Sequence, residues 1–229
     1  MIEIKNVYKI YHMGKEKVAA LDGVSLSIKK GEFISIVGHS GSGKSTLMNM
    51  IGGLDRPTEG SIYVDGCDIG KLKDNDMAKY RNKKVGFVFQ SFNLEPSYTA
   101  AENVAMPLMF AGVGERKRKR IANEALKLVS LDKRGKHKPT EMSGGERQRV
   151  SIARAIVNEP EILLADEPTG NLDSKTRASI MSLLRDLNKN KGYTIIMVTH
   201  NMEDAQYADR IIKLRDGLIE GVVANENLG

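Results

Sequence analysis

Phe33-Ile34-Ser35-Ile36-Val37-Gly38-His39-Ser40-Gly41-Ser42-Gly43-Lys44-Ser45 is an apolar run, then a glycine-rich turn, then a basic and a hydroxyl residue. The run is short and bounded by a turn, so it reads as a buried strand, and the helical spacing of 46–51 reads as a helix. Strand, glycine turn and helix in that order is the setting in which G-x-x-x-x-G-K-[ST] becomes a phosphate loop. Its glycines let backbone N–H groups converge on phosphate oxygens, and the helix N-terminus adds a favourable dipole. Lys44 is expected to reach the β- and γ-phosphates of ATP, and Ser45 to offer its hydroxyl to Mg²⁺. The expected nucleotide-binding set is Gly38, His39, Ser40, Gly41, Ser42, Gly43, Lys44, Ser45 and Thr46, with His39 a bystander to the chemistry.

Three more apolar runs resemble the first, at 85–89, 162–165 and 194–198, and each predicts a buried strand of a largely parallel sheet. Helical spacing recurs at 174–187 and 202–208. Alternation of strand and helix implies an α/β layered core. The two ends differ, because 2–10 and 18–28 alternate as antiparallel strands do, and Asp216-Gly217 marks a hairpin between 211–214 and 218–222. An antiparallel β edge layer is therefore expected at both termini. From Thr99 to Val157 the pattern is almost wholly helical, opening on the capping box Thr99-x-x-Glu102. The fold class that follows is a P-loop NTPase core with a mostly parallel sheet, an antiparallel β edge layer and an inserted helical subdomain. The 229 residues are read as one domain, with the core at about 1–90 and 158–229 and the helical part at about 91–157.

Composition narrows the setting. Hydrophobic residues make up 41% and charged residues 28%, which fits a globular protein and argues against long disorder. The net charge of +6 suits several anionic partners and selects none. Arg116-Lys117-Arg118-Lys119-Arg120 is the strongest basic run, and its helical surroundings predict a solvated helix face rather than a nucleic-acid patch. Cys67 is the only cysteine, so no disulfide can form within the chain. The opening residues show no charged-then-apolar export segment, and the longest apolar approach, 104–113, falls short of the roughly 20 residues that span a bilayer. The expected location is the cytoplasm.

Two further segments carry chemistry. The run 162–165 ends in Asp166-Glu167, and a strand of an open sheet delivers both carboxylates to the edge where the phosphate loop lies. Asp166 is placed to hold Mg²⁺, and Glu167 to accept a proton from the water that attacks the γ-phosphate. Met142-Ser143-Gly144-Gly145-Glu146 introduces a helix with Ser143 as its N-cap and two glycines beside spare N–H donors. One nucleotide needs only one phosphate loop, so this second helix N-terminus is free to stabilise γ-phosphate charge on a neighbouring molecule.

With these motifs in order, the whole chain resembles the nucleotide-binding subunit of an ATP-binding cassette (ABC) transporter. Ser143-Gly144-Gly145 matches the core of that family's signature sequence, departing at Met142, where Leu is usual, and at Glu146, where Gln is commonest. The resemblance implies that Gln90 contacts Mg²⁺ and the attacking water, and that the segment to Leu94 receives an integral membrane permease. It implies that Asn171, Leu172 and Asp173 form a dimer-interface loop, that His200 touches the γ-phosphate, and that Tyr11 stacks on adenine, with Tyr8 as a weaker competitor. Catalysis then rests on Glu167, His200, Gln90 and Lys44, the metal on Ser45, Gln90 and Asp166, and the opposing copy lends Ser143, Gly144, Gly145 and Glu146. The cofactors implied are ATP and Mg²⁺, the partners a second copy on ATP binding and a permease, and the place the cytoplasmic face of the membrane.

Gly53-Leu54-Asp55-Arg56-Pro57-Thr58-Glu59-Gly60 and the segment from Asp166 to Asp173 resemble the branch serving lipoprotein release, macrolide efflux and cell division. An ATP-driven switch acting on a membrane partner without transport is the alternative. A chromosome-maintenance ATPase would need a long coiled coil between Lys44 and Asp166, and that interval shows no sustained heptads. No nucleic-acid partner is expected.

Overall fold

The computed structural model describes residues 1–14 and 16–225. In chain order the elements are β1 (Ile2–Met13), β2 (Glu16–Ile28), β3 (Phe33–Val37), α1 (Lys44–Ile51), β4 (Glu59–Val64), β5 (Cys67–Asp68), α2 (Asp74–Lys84) and β6 (Val85–Phe89). There follow α3 (Ala100–Phe110), α4 (Glu115–Leu128), α5 (Gly144–Ile156), β7 (Ile162–Asp166), α6 (Ser174–Lys191), β8 (Thr194–Thr199), α7 (Met202–Ala205), β9 (Arg210–Arg215) and β10 (Leu218–Ala224).

Two sheets organise these elements. Strands β2-β1-β4-β5 form an antiparallel sheet, and β10-β9-β3-β8-β7-β6 form a second sheet whose inner strands all run parallel. Successive side chains of a strand point to opposite faces, and this alternation sorts the second sheet's residues into two cores. Leu163, Ala165, Ile195 and Met197 face α3, α4, α5 and α6. Ile162, Leu164, Ile196 and Val198 face α1 and the antiparallel sheet. Burial on both faces is why these strands read as unbroken apolar runs.

The expected edge layer at both termini takes two forms. The N-terminal strands build the separate antiparallel sheet, whereas the C-terminal hairpin extends the parallel one, because β9 lies parallel beside β3 and only β10 reverses. The helix expected over 202–208 is the four-residue α7, since Tyr207 and Ala208 already turn back towards β9. The helical stretch is interrupted between α4 and α5, where the only helical piece among the described residues is a 3-10 turn at Pro139–Glu141. The capping box opening α3 is present, with Thr99 Oγ1 accepting from Glu102 N and the Glu102 carboxylate accepting from Thr99 N at 2.8 Å. Helices α3, α4 and α5 share one continuous apolar core with α6 and the sheet.

Candidate functional site

Strands β3, β8, β7 and β6 are neighbours in the sheet, and their C-terminal ends lie side by side. Register pairs Val37 with Thr199, Val198 with Asp166, and Asp166 with Phe89. The residues that leave these ends are the glycine loop after β3, His200 after β8, Asp166-Glu167 at β7 and Gln90 after β6. This is the edge at which open α/β sheets place their ligands. A cleft of about 580 Å³ results, lined by Ser40, Gly41, Gly43, Lys44, Ser45, Thr46, Gln90, Asp166, Glu167 and His200.

Gly43 shows why the loop has its sequence. It is the N-cap of α1 with φ 98°, a left-handed conformation, and a Cβ there would lie 2.3 Å from the Ala20 carbonyl oxygen. The Lys44 ammonium donates to the His39 carbonyl at 2.7 Å. Burial pushes this ammonium below the ordinary lysine range, against the opposing pull of Glu167 and Asp166. Burial, and after it the charge of Glu167, pushes the Asp166 carboxyl up, while Lys44 and hydrogen bonding from Ser45 act the other way. Glu167 takes a left-handed φ of 46°, its N–H donates to Val198 O at 2.9 Å, and its carboxylate lies 2.8 Å from His200 Nδ1. One cation thus faces two acids and an imidazole.

Not every expected residue enters this cleft. The His39 ring turns away, with Nε2 3.4 Å from Asp216 in the β9–β10 turn. Ser42 is buried beneath the loop. Tyr11 is exposed, its hydroxyl donates to Asp55 Oδ2 at 2.7 Å, and Lys9 Nζ sits 4.9 Å over its ring. Tyr8 instead packs beneath Gly23, where a Cβ would meet its hydroxyl at 2.9 Å.

The helix start at Ser143 lies outside the cleft of its own chain. Ser143 Oγ accepts from Glu146 N at 3.2 Å, and the Glu146 carboxylate accepts from Ser143 N at 2.9 Å. Arg134 also reaches Glu146, at 2.9 Å. The Ser143 N–H first, then the Ser143 hydroxyl and Arg134, hold the Glu146 carboxyl below its ordinary range. Glu and Gln serve equally as the third residue of such a cap, so the Glu146 departure leaves the turn intact. Gly145 packs against α6, where a Cβ would lie 2.5 Å from Thr176 Cγ2. The loop 171–173 ties the pieces together: Asn171 Nδ2 donates to Gln90 O at 3.1 Å, and Asp173 caps α6 by accepting from Thr176 N at 3.0 Å.

Three supporting contacts carried no sequence signal. Arg154 on α5 donates to the carbonyls of Asn93 at 2.5 Å and Phe92 at 2.8 Å, two consecutive residues with positive φ. Buried Gln148 donates to Pro168 O at 2.6 Å. The Thr169 hydroxyl donates to buried Asp204, linking the loop after β7 to α7. A helical Arg, Gln or Asp shows nothing in sequence of which distant loop it will meet.

A family model described as ABC transporter matches residues 21–170. The ABC transporter ATP-binding protein MJ0796 of Methanocaldococcus jannaschii is 54% identical over 225 residues, covering 96% of this chain and 95% of the relative. A dimeric structure of that cassette in a post-hydrolysis state, bound to ADP and Pi, superposes with a TM-score of 0.91 at 49% identity, covering 100% of both chains. The macrolide export ATP-binding/permease protein MacB of Rhodopirellula baltica is 45% identical over 221 residues, which are 96% of this chain and 32% of the relative. This chain therefore spans about a third of that larger protein.

Proposed function

Since the chain belongs to the ABC transporter family, as an ATP-binding subunit, we propose that it hydrolyses ATP at a site completed by a second copy of itself and drives a separate membrane-spanning partner. The observation that carries this reading is the convergence of Lys44, Ser45, Gln90, Asp166, Glu167 and His200 on one cleft. The backbone from Gly38 to Thr46 cradles the phosphates, and Lys44 swings from the His39 carbonyl to the β- and γ-oxygens. Tyr11 meets the adenine with the outer face of its ring.

Ser45, Gln90 and Asp166 would supply the hard oxygen donors that Mg²⁺ takes, and all three line the one cleft. Bound there, Mg²⁺ would neutralise charge on the β- and γ-oxygens. Glu167 accepts the proton of the attacking water, and His200, already on its carboxylate, keeps that oxygen aimed.

The second copy approaches head to tail, so that its Ser143, Gly144 and Gly145 face the γ-phosphate with hydroxyl and N–H donors. Glu146 holds that turn through its cap. Asn171, Leu172 and Asp173 line the same interface. The MJ0796 cassette, dimeric with ADP and Pi, supports this pairing. The domain division, core at about 1–90 and 158–229 and helices at about 91–157, lets the helical part follow the partner copy when ATP draws the two together.

A groove of about 630 Å³ lined by Phe87, Phe89, Asn93, Met106, Pro107 and Phe110 adjoins Gln90 and is the proposed seat of the permease. No described helix is long and apolar enough to cross a membrane, and MacB, which joins such a cassette to a permease, supports a membrane partner. The proposed type is lipoprotein release or macrolide efflux, working from the cytoplasmic face.

The test is Glu167→Gln, which keeps the shape and removes the base. Turnover should fall roughly 10²–10⁴-fold, while ATP is retained and the dimer accumulates on a sizing column. Wild-type phosphate release from this variant, or a monomer that turns over at full rate, would refute the reading.

A further inference from the structure

We propose that the outer face of α4 and the tip of α3 rest on an anionic lipid surface. Arg116, Lys117, Lys119, Arg120 and Lys127 are exposed along α4. The carboxylates on that helix are Glu115, 2.7 Å from Lys119, and Glu124, 3.8 Å from Arg120. Arg118 is turned inward, donating to Val113 O at 3.2 Å, and so holds the turn between the helices.

Helix stability accounts for Lys119 and Arg120, which pair one turn away, but not for Arg116 and Lys117. Arg116 and Lys117 lie in the first turn, the end at which the aligned peptide dipoles favour anions and disfavour cations, and Glu115 in the same turn pairs with Lys119 instead. Arg116 and Arg120 are also like charges one turn apart. The cations that no carboxylate of the helix pairs, Arg116, Lys117 and Lys127, are open to an external anion.

The adjoining tip identifies the kind of anion. Met109 and Phe110, the last residues of α3, are 49% and 80% exposed. Bulky apolar side chains beside a row of cations match the interface of a bilayer, where apolar groups enter the headgroup layer and Lys and Arg meet lipid phosphates. A nucleic acid would take the cations and leave Met109 and Phe110 in water. Phe110 also lines the groove assigned above to the permease, so the tip would face the membrane; in this respect the proposal rests on that docking reading.

The test is co-sedimentation of the full chain with vesicles of phosphatidylcholine, alone or mixed equally with phosphatidylglycerol, at low and high salt. Binding is expected only with phosphatidylglycerol and should be released by salt. Arg116→Gln, Lys117→Gln and Lys119→Gln together should weaken it roughly 100-fold, at about fivefold per cation, with unchanged ATP turnover by the isolated chain. Phe110→Ser should weaken vesicle binding and leave binding to heparin, a soluble polyanion, unaltered. Equal binding to both vesicle types, no binding, or an unaffected triple variant would overturn the proposal. Heparin bound as tightly as phosphatidylglycerol, with Phe110→Ser without effect, would overturn it in favour of an acidic macromolecule. Permease co-purification reads the docking groove separately: a chain that holds its permease but ignores vesicles sinks only the lipid contact, and the converse sinks only the docking.

Discussion

Gly145→Ala adds one methyl group where the start of α5 meets the start of α6. The new Cβ would sit 2.5 Å from Thr176 Cγ2, against about 3.5–4.0 Å for carbon atoms at rest. Thr176 cannot turn aside freely, because its hydroxyl donates to Asp173 Oδ2 at 2.6 Å and its N–H to Asp173 Oδ1 at 3.0 Å. Rotation would forfeit a bond to a charged group, about 1.5–3 kcal/mol, and moving the helices apart costs about 1–3 kcal/mol. Ala recovers at most about 1 kcal/mol over Gly in helix propensity, so a net loss of about 1–2 kcal/mol is expected in urea denaturation. Turnover should fall further than stability implies, because the same shift separates Ser143 from the loop 171–173, while ATP affinity at the untouched phosphate loop stays constant. Thr176→Ser removes the offending methyl and keeps the hydroxyl bond, so the double variant should regain most of both losses. If Gly145→Ala is as stable as the parent, or Thr176→Ser fails to rescue it, the packing argument is wrong.

Arg154→Lys should release one or both carbonyls of the 92–93 kink, costing about 1.5–3 kcal/mol and raising hydrogen exchange in that loop; unchanged exchange would count against the clamp. Asp204→Asn should raise the melting temperature at neutral pH. Burial pushes the Asp204 carboxyl up, so the ionised form is penalised in the native state, and the gain from Asn should fade as pH falls through that raised value; a gain that grows on acidification would reverse the sign. Lys44→Ala should weaken ATP binding in calorimetry, and an unaltered affinity would remove Lys44 from the site.

The parallel strands, α1 and the residues around the cleft were legible because each strand is buried on both faces and each motif sits at a strand end. Strand β4 was less visible, because only Ile62 and Val64 are buried and Glu59, Gly60 and Ser61 precede them, so no unbroken apolar run marks it. Helix α2 buries only Met77 and Tyr80 among charged neighbours, too sparse a stripe to stand out. The C-terminal hairpin was readable as a hairpin but not as an extension of the parallel sheet, since a hairpin's own pattern does not say which neighbour it joins. Contacts such as Arg154 with Phe92 and Asn93 depend on tertiary placement alone.

The hydroxyl of Ser143 has two lone pairs and one proton, and accepting from Glu146 N occupies a lone pair only. The Glu146 carboxylate beside it draws the proton inward, so turning that proton outward would give up the carboxylate bond and leave the cap on Glu146 N in place. A single side chain can therefore seal its own helix permanently and still make or break an external bond in each cycle, so the helix need not fray when that bond is lost.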